Sequence, residues 1–272
     1  MKKALALSLC LALALGLAAC GSGEPGDVTA DFKRAREAAS ELESVHMDMD
    51  LDMSFTMSAD GQTVEMPMSM TMSMDSINEP MACSSSITMN MFGVGLSAMN
   101  YVERSGEGYA SYTSADNGAT WTSEEIAEDE LGRFDAAGSI SFYLGLASGG
   151  FALSSADEEL DGVRAYRYDG SISGSQLNEV MDMTGMEEML YAMTDAQTGP
   201  FEGSMPISIW LEAETFRPLR YDMDMSELMT GYVQSSLGET NGVTVDGVSA
   251  TVSVRLSNFN GVGSIARPEG IA

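Results

Sequence analysis

From Met47 to Met57 and again from Met66 to Met74 apolar residues fall on every second position, and that period limits what the chain can fold into. Met47, Met49, Leu51, Met53, Phe55 and Met57 take one parity, and Asp48, Asp50, Asp52, Ser54, Thr56 and Ser58 the other. Successive side chains of a β-strand point to opposite faces, so one extended backbone sorts the two sets cleanly. At about 3.3 Å per residue, positions 47–57 make a strand of roughly 36 Å, longer than most. After an Asp60-Gly61 turn the pattern repeats, with Met66, Met68, Met70, Met72 and Met74 opposite Glu65, Pro67, Ser69, Thr71, Ser73 and Asp75. Proline donates no ladder hydrogen bond, so Pro67 places that end at an edge or strand start.

Around this ladder the periods change. Phe32, Ala35, Ala39, Leu42 and Val45 recur at helical steps, which predicts an amphipathic helix over Val28–Val45 with Thr29 as its cap. Strands are expected at Ser86–Met91, Val94–Tyr101 and Gly108–Thr113, and an Asp116-Asn117-Gly118 turn delivers Trp121. Glu124–Leu131 and Ser139–Ala147 read as short helices, the second broken by Gly145, Gly149 and Gly150. An Asp161-Gly162 hairpin turn leads into Val163–Ile172, and a helix kinked at Gly185 is expected over Ser175–Met193. Alternation returns at Ile207–Leu211, at Leu219–Met225 after a turn at Glu214–Pro218, and at Val248–Leu256. Helix, many antiparallel strands, helix and strands again is an α+β order, built on a large curved antiparallel sheet.

The start of the chain has its own logic. Lys2 and Lys3 precede an uncharged run, Ala4–Ala18, of signal-peptide length and too short for a comfortable membrane span. Leu17-Ala18-Ala19-Cys20 resembles the bacterial lipobox, in which the cysteine thiol accepts a diacylglycerol. Residues 1–19 are therefore expected to be removed, 20–27 to form a lipidated flexible tether on Cys20, and 28–272 to form one domain. The expected location is extracytoplasmic, on the outer face of the cytoplasmic membrane. Cys10 leaves with the signal peptide and Cys20 is acylated, so Cys83 has no partner for a disulfide and reads as a small buried hydrophobe.

Thirteen basic residues face 41 acidic ones, and processing would remove two of the former and none of the latter. A net charge of −28 or below argues against nucleic acid, whose phosphates need a basic footprint, and against adhesion to anionic lipid. Catalytic inventories are equally thin. His46 is the only histidine and Lys33 the only lysine beyond Lys3, with no nucleophile elbow, phosphate loop or metalloprotease helix. Carboxylates are plentiful, but nothing marks one pair as an acid and base. No catalytic residue, metal or cofactor is assigned, and an enzyme is not expected.

Twenty-three methionines are the remaining oddity, and they line a sheet face. Three readings stay open: a filled core belonging to a structural or interaction lipoprotein of the envelope, an adaptable apolar cavity, and a Cu(I) site. Unbranched thioether chains repack around varied ligands, which makes Met47, Met49, Leu51, Met53, Phe55, Met66, Met68, Met70, Met72, Met89, Met91 and Met223 the cavity candidates. Against copper, Met-X-Met on a strand sets side chains about 6.6 Å apart, and one histidine makes no strong site. Asp48, Asp50 and Asp52 lack the glycine-bent loop of a calcium site.

Four stretches together carry a resemblance to the LolA/LolB-like superfamily of bacterial lipoproteins, including the mycobacterial LppX/LprG group. They are the lipobox, helix and strand Ser44–Met57; Asn117-Gly118-Ala119-Thr120-Trp121; Asp161–Tyr168; and Ile209-Trp210-Leu211-Glu212 with Phe216–Tyr221, the closing strand and Asn258-Phe259-Asn260. The resemblance implies a half-barrel of antiparallel strands over helices, enclosing an apolar cavity for acyl chains of lipids or lipoproteins. It favours the cavity reading, supplies no catalytic residue, and leaves any protein partner unnamed.

Overall fold

The computed structural model describes residues 25–59, 61–91, 93–106, 108–127, 136–146, 150–178, 201–237 and 243–271. Helix α1 (Val28–Ser40) leads into a first run of strands: β1 (Ser44–Ala59), β2 (Gln62–Ile77), β3 (Ala82–Met91), β4 (Val94–Ser105), β5 (Gly108–Ser114) and β6 (Thr122–Ile126). Helix α2 (Ala136–Leu146) then precedes β7 (Ala152–Leu160), β8 (Val163–Ser173), β9 (Ser204–Glu212) and β10 (Pro218–Asp224). Helix α3 (Ser226–Leu237) and β11 (Val243–Ser257) close the described chain.

All eleven strands form one open antiparallel sheet in the order β6-β5-β4-β3-β2-β1-β11-β10-β9-β8-β7. Each half is a simple meander, and the halves meet where the first strand pairs with the last, Met47 opposite Leu256 and Met53 opposite Ala250. The expected α+β class with a large antiparallel sheet is what the chain adopts. Its long central hairpin follows the alternation: Met47, Met49 and Met53 of β1 face Met74, Met72 and Met68 of β2. Pairing between β2 and β3 begins at Met68–Met91, so Pro67 lies on a free edge, as proline requires.

Several expectations are corrected. The first helix ends at Ser40, and Val45 already belongs to β1, because strand pairing with β2 outweighs the helical spacing of Leu42 and Val45. Asp27 rather than Thr29 occupies the N-cap and makes no side-chain cap; Asp31 instead accepts the Gly26 N–H at 2.9 Å. Thr122–Ile126 is an edge strand on β5, not the start of a helix, since Tyr109 and Ile126 pair across the two. Residues 128–131 of that expected helix, Asp60, Gly149, and the expected Gly185 kink lie outside the described residues. Of the expected helix from Ser175, residues 175–178 are described and helical. Helix α3 was not anticipated.

The apolar face carries two cores. In the larger, Phe32, Ala35 and Ala39 of α1 and Ile140 and Leu144 of α2 pack on Tyr166, Tyr168, Ile209, Leu211 and Leu256. In the smaller, Met229, Tyr232 and Val233 of α3 cover Val245, Val248 and Ala250 of β11. Among the described residues no helix is long and apolar enough to cross a membrane.

Candidate functional site

Because side chains alternate, register alone assembles the methionine face. Met49 faces Met72, which faces Ile87, which faces Ala98; one row on, Leu51, Met70, Met89 and Leu96 stand side by side. A third row runs Met53, Met68, Met91 and Val94. All twelve candidates share one face of the sheet, but they do not share one environment. Met47 and Met223 pack on the larger core, and Met53 and Phe55 on the smaller. Met49, Leu51, Met66, Met68, Met70, Met72, Met89 and Met91 are half-buried and belong to neither core among the described residues. Met74, within the larger core, is the one methionine of β1–β3 on that face that is buried.

Two hydroxyls inside the apolar layer have no partner. The Tyr221 and Tyr232 O–H groups are buried and unpaired among the described residues, and burial pushes the Tyr221 phenol well above its ordinary value. Tyr221 stands opposite Val254 and Ile209, whereas Tyr232 stacks on Phe201 at 5.2 Å. An unmet buried hydroxyl costs free energy that a hydrogen-bond acceptor on a bound molecule would return. By contrast Tyr168 donates to the fully buried Asp31 at 2.9 Å, which fixes the start of α1 against β8. Cys83 is buried in the larger core, and burial raises its thiol to about 12, so it is inert packing as expected.

The polar face is a different surface. A shallow groove of about 520 Å³ opens there, bordered by Asp50, Asp52, Asp169, Asp222, Asp224 and Arg220; of the twelve candidates only Met223 touches it. Two of its carboxylates, Asp169 and Asp222, are tied down by neighbours. Ser208 donates to Asp169 at 2.6 Å and Arg167 at 2.8 Å, while Arg220 and Ser253 bind Asp222 at 2.7 and 2.8 Å. The guanidinium groups of Arg167 and Arg220 each lie 5.1 Å from the Trp210 ring, whose N–H donates to Glu158. This arginine–tryptophan–arginine stack left no sequence signal, since its members come from different strands. His46 sits between Asp75 at 2.8 Å and Asp48 at 3.3 Å. Partial burial lowers its pKa, but the hydrogen bond to Asp75 and the charge of Asp48 outweigh this and the net shift is upward. Among the described residues no cluster of three or more histidine, cysteine or acidic side chains could hold a metal ion.

Comparison with known proteins adds the fold. LprF from Mycobacterium bovis is similar over 92% of this chain and 100% of its own, at 15% identity and a TM-score of 0.52. This is the fold of LprF. LppX of Mycobacterium tuberculosis is more distant, with 14% identity, 89% and 99% coverage and a TM-score of 0.42. A LolA superfamily protein from Nitrosomonas europaea is more distant again, at 10% identity, 84% and 90% coverage and 0.21. At those scores the last two add no weight to the LprF likeness. Residues 28–125 match a family model described only as a family of unknown function, DUF6612, which covers α1, β1–β5 and most of β6. No curated protein matches the chain.

Proposed function

We propose that this chain is an extracytoplasmic carrier, held to the membrane by lipid on Cys20, that binds a hydrophobic molecule on the methionine face of β1–β4 without chemistry. In this reading residues 1–19 are removed, 20–27 are the tether and 28–272 fold as one unit. The cargo is an acyl-chain lipid. One observation carries the reading: the half-buried rows Met49–Met72–Ile87 and Leu51–Met70–Met89 form an unbroken apolar surface that, among the described residues, lies outside both cores. Thioether side chains suit such a surface, because three rotatable bonds let them repack around ligands of different shape. The LprF-like fold supports it, as does the resemblance of the N-terminus to a lipobox. Carriage needs no catalytic residues, and contacts are dispersed, so single substitutions should weaken binding by modest steps. Native mass spectrometry of the mature protein purified from its own host tests this. Adducts of acyl-lipid mass are expected. Apo protein alone, with no uptake of fluorescent fatty acids or phospholipids, would sink the proposal.

A further inference from the structure

Among the described residues the three most exposed large apolar side chains lie toward one end and on one face of β2 and β4, the two strands that flank β3. Val64, Val94 and Leu96 are 54%, 59% and 51% exposed. Val64 stands opposite Met57, Val94 opposite Met91, and Leu96 opposite Met89, at the tips of the β1–β2 and β3–β4 hairpins. Half-exposed Met66, Met68 and Met91 lie between them on the same face, and an exposed apolar patch of this kind marks an interaction surface.

Charge says which kind. In a chain of net charge −28, Ser84–Val102 contains no charged residue, and Gln62–Met74 contains only Glu65. Glu65 is on the opposite face, where it accepts a hydrogen bond from Ser54. The nearest other acids in sequence are Asp60 and Asp75 beside the second stretch and Glu79 and Glu103 beside the first. A body this acidic is repelled by an anionic leaflet and by acidic proteins, and lacks the lysines and arginines for electrostatic adhesion. The hairpin tips are where it can meet a neutral apolar layer without that penalty.

We infer that the rim formed by Val64, Met66, Met91, Val94 and Leu96 docks into the headgroup layer of a zwitterionic bilayer. The inference rests on the carrier reading, and gives it a route. Leu96 continues directly into the row Met89–Met70–Leu51, so an acyl chain leaving the bilayer at the rim passes onto the methionine face without crossing a polar strip. The tether of residues 20–27, at about 3.3–3.6 Å per residue fully extended, keeps the domain within about 30 Å of the same membrane.

The test uses the lipidated protein in phosphatidylcholine vesicles. Leu96→Cys, and Ala156→Cys on the edge strand β7 as control, each carry an environment-sensitive fluorophore, with buried Cys83 left unlabelled. An apolar element in the interface lies about 5–10 Å deep, so the Leu96→Cys label should lose about half its emission to brominated lipid. The control should lose none, and high salt should leave both unchanged. Equal quenching at the two sites, or release by salt, would overturn docking. A V94D/L96D variant, labelled at Val64→Cys, should lose quenching, because two carboxylates cannot enter the interface without their hydration. Retained quenching would overturn docking; quenching at Leu96→Cys while the wild-type protein yields no lipid adducts in native mass spectrometry would instead count against the carrier reading. A concentration-dependent dimer with no quenching would assign the rim to a second copy of the chain and overturn the proposal.

Discussion

Strands β8–β11 and strands β1–β4 present the same alternation on the same face of one sheet, yet they end in different states. In the first group Tyr168, Ile172, Ile209, Leu211 and Ala250 are completely buried under helices. In the second, Met49, Met70, Met72 and Met89 remain half-buried. The side chains differ accordingly. Branched and aromatic groups have few rotamers and lock a packed interior, whereas methionine retains freedom where packing is incomplete. The difference teaches that a run of methionines on a sheet face accompanies incomplete packing, although Met205 of β9, 1% exposed, shows that a single methionine also serves a finished core.

The largest test of that contrast is a pair of truncations. Leu211→Ala removes a fully buried side chain from a core covered by α1 and α2, and should cost about 2–5 kcal/mol in urea unfolding. Met70→Ala should cost about 1 kcal/mol or less, because its half-exposed site buries less area and leaves no sealed cavity. Equal losses would mean that the methionine face is core after all. Next in size is Asp31→Ala, which strands the Tyr168 hydroxyl and the Gly26 N–H where α1 meets the buried half. Leaving buried donors unmet costs about 1–3 kcal/mol, and the same assay should register it. Tyr168→Phe combined with Asp31→Ala should recover part of that loss.

Much of this arrangement was legible in the sequence, and the failures have physical causes. Met47–Met57 and Met66–Met74 declared their strands because one face is apolar and the other polar throughout. Asn117-Gly118 and Asp161-Gly162 declared their turns because both adopt positive φ, which asparagine, aspartate and glycine tolerate. β7 was missed because its Ala152–Leu160 run is an exposed acidic edge with no alternation to read. β6 was misread because Glu124 and Glu125 favour helix locally, and pairing with β5 decides otherwise. α3 was missed because Met225 continues the β10 parity, while Gly231 and polar Gln234 blur the helical stripe. Alternation placed the twelve candidates on one face, but which of them the helices cover depends on tertiary placement.

At the seam between the halves, on the polar face, pH provides a smaller handle. His46 has a folded pKa above its ordinary 6.5, so its contribution to stability is complete below about 6.5 and fades as pH rises through the folded value. Unfolding at a series of pH values from 5 to 9 should therefore show a modest decline on the alkaline side, within the roughly 1 kcal/mol of a part-exposed ion pair. His46→Gln should flatten that decline. An unchanged profile would remove His46 from the stability of the β1–β2 pairing.

The smallest expected effect lies in the buried half, at one of its two buried hydroxyls that lack a partner among the described residues. Tyr221 is enclosed between Val254 and Ile209 with its hydroxyl unpaired, so Tyr221→Phe removes an unmet donor and leaves the ring in place. Stability should rise by a few tenths of a kcal/mol, or hold, since deleting an unsatisfied buried group forfeits no hydrogen bond. The informative quantity is the lipid. Tyr221 shares its row with Val254 and Met49, so a cargo on the methionine face that extends toward β10 would bring an ester or carboxyl oxygen within reach of that hydroxyl. If it does, Tyr221→Phe loses cargo affinity while gaining stability, and the unpaired hydroxyl is part of the binding surface. If stability rises and cargo affinity holds, the two halves divide their labour cleanly, and the carrier surface ends at β1.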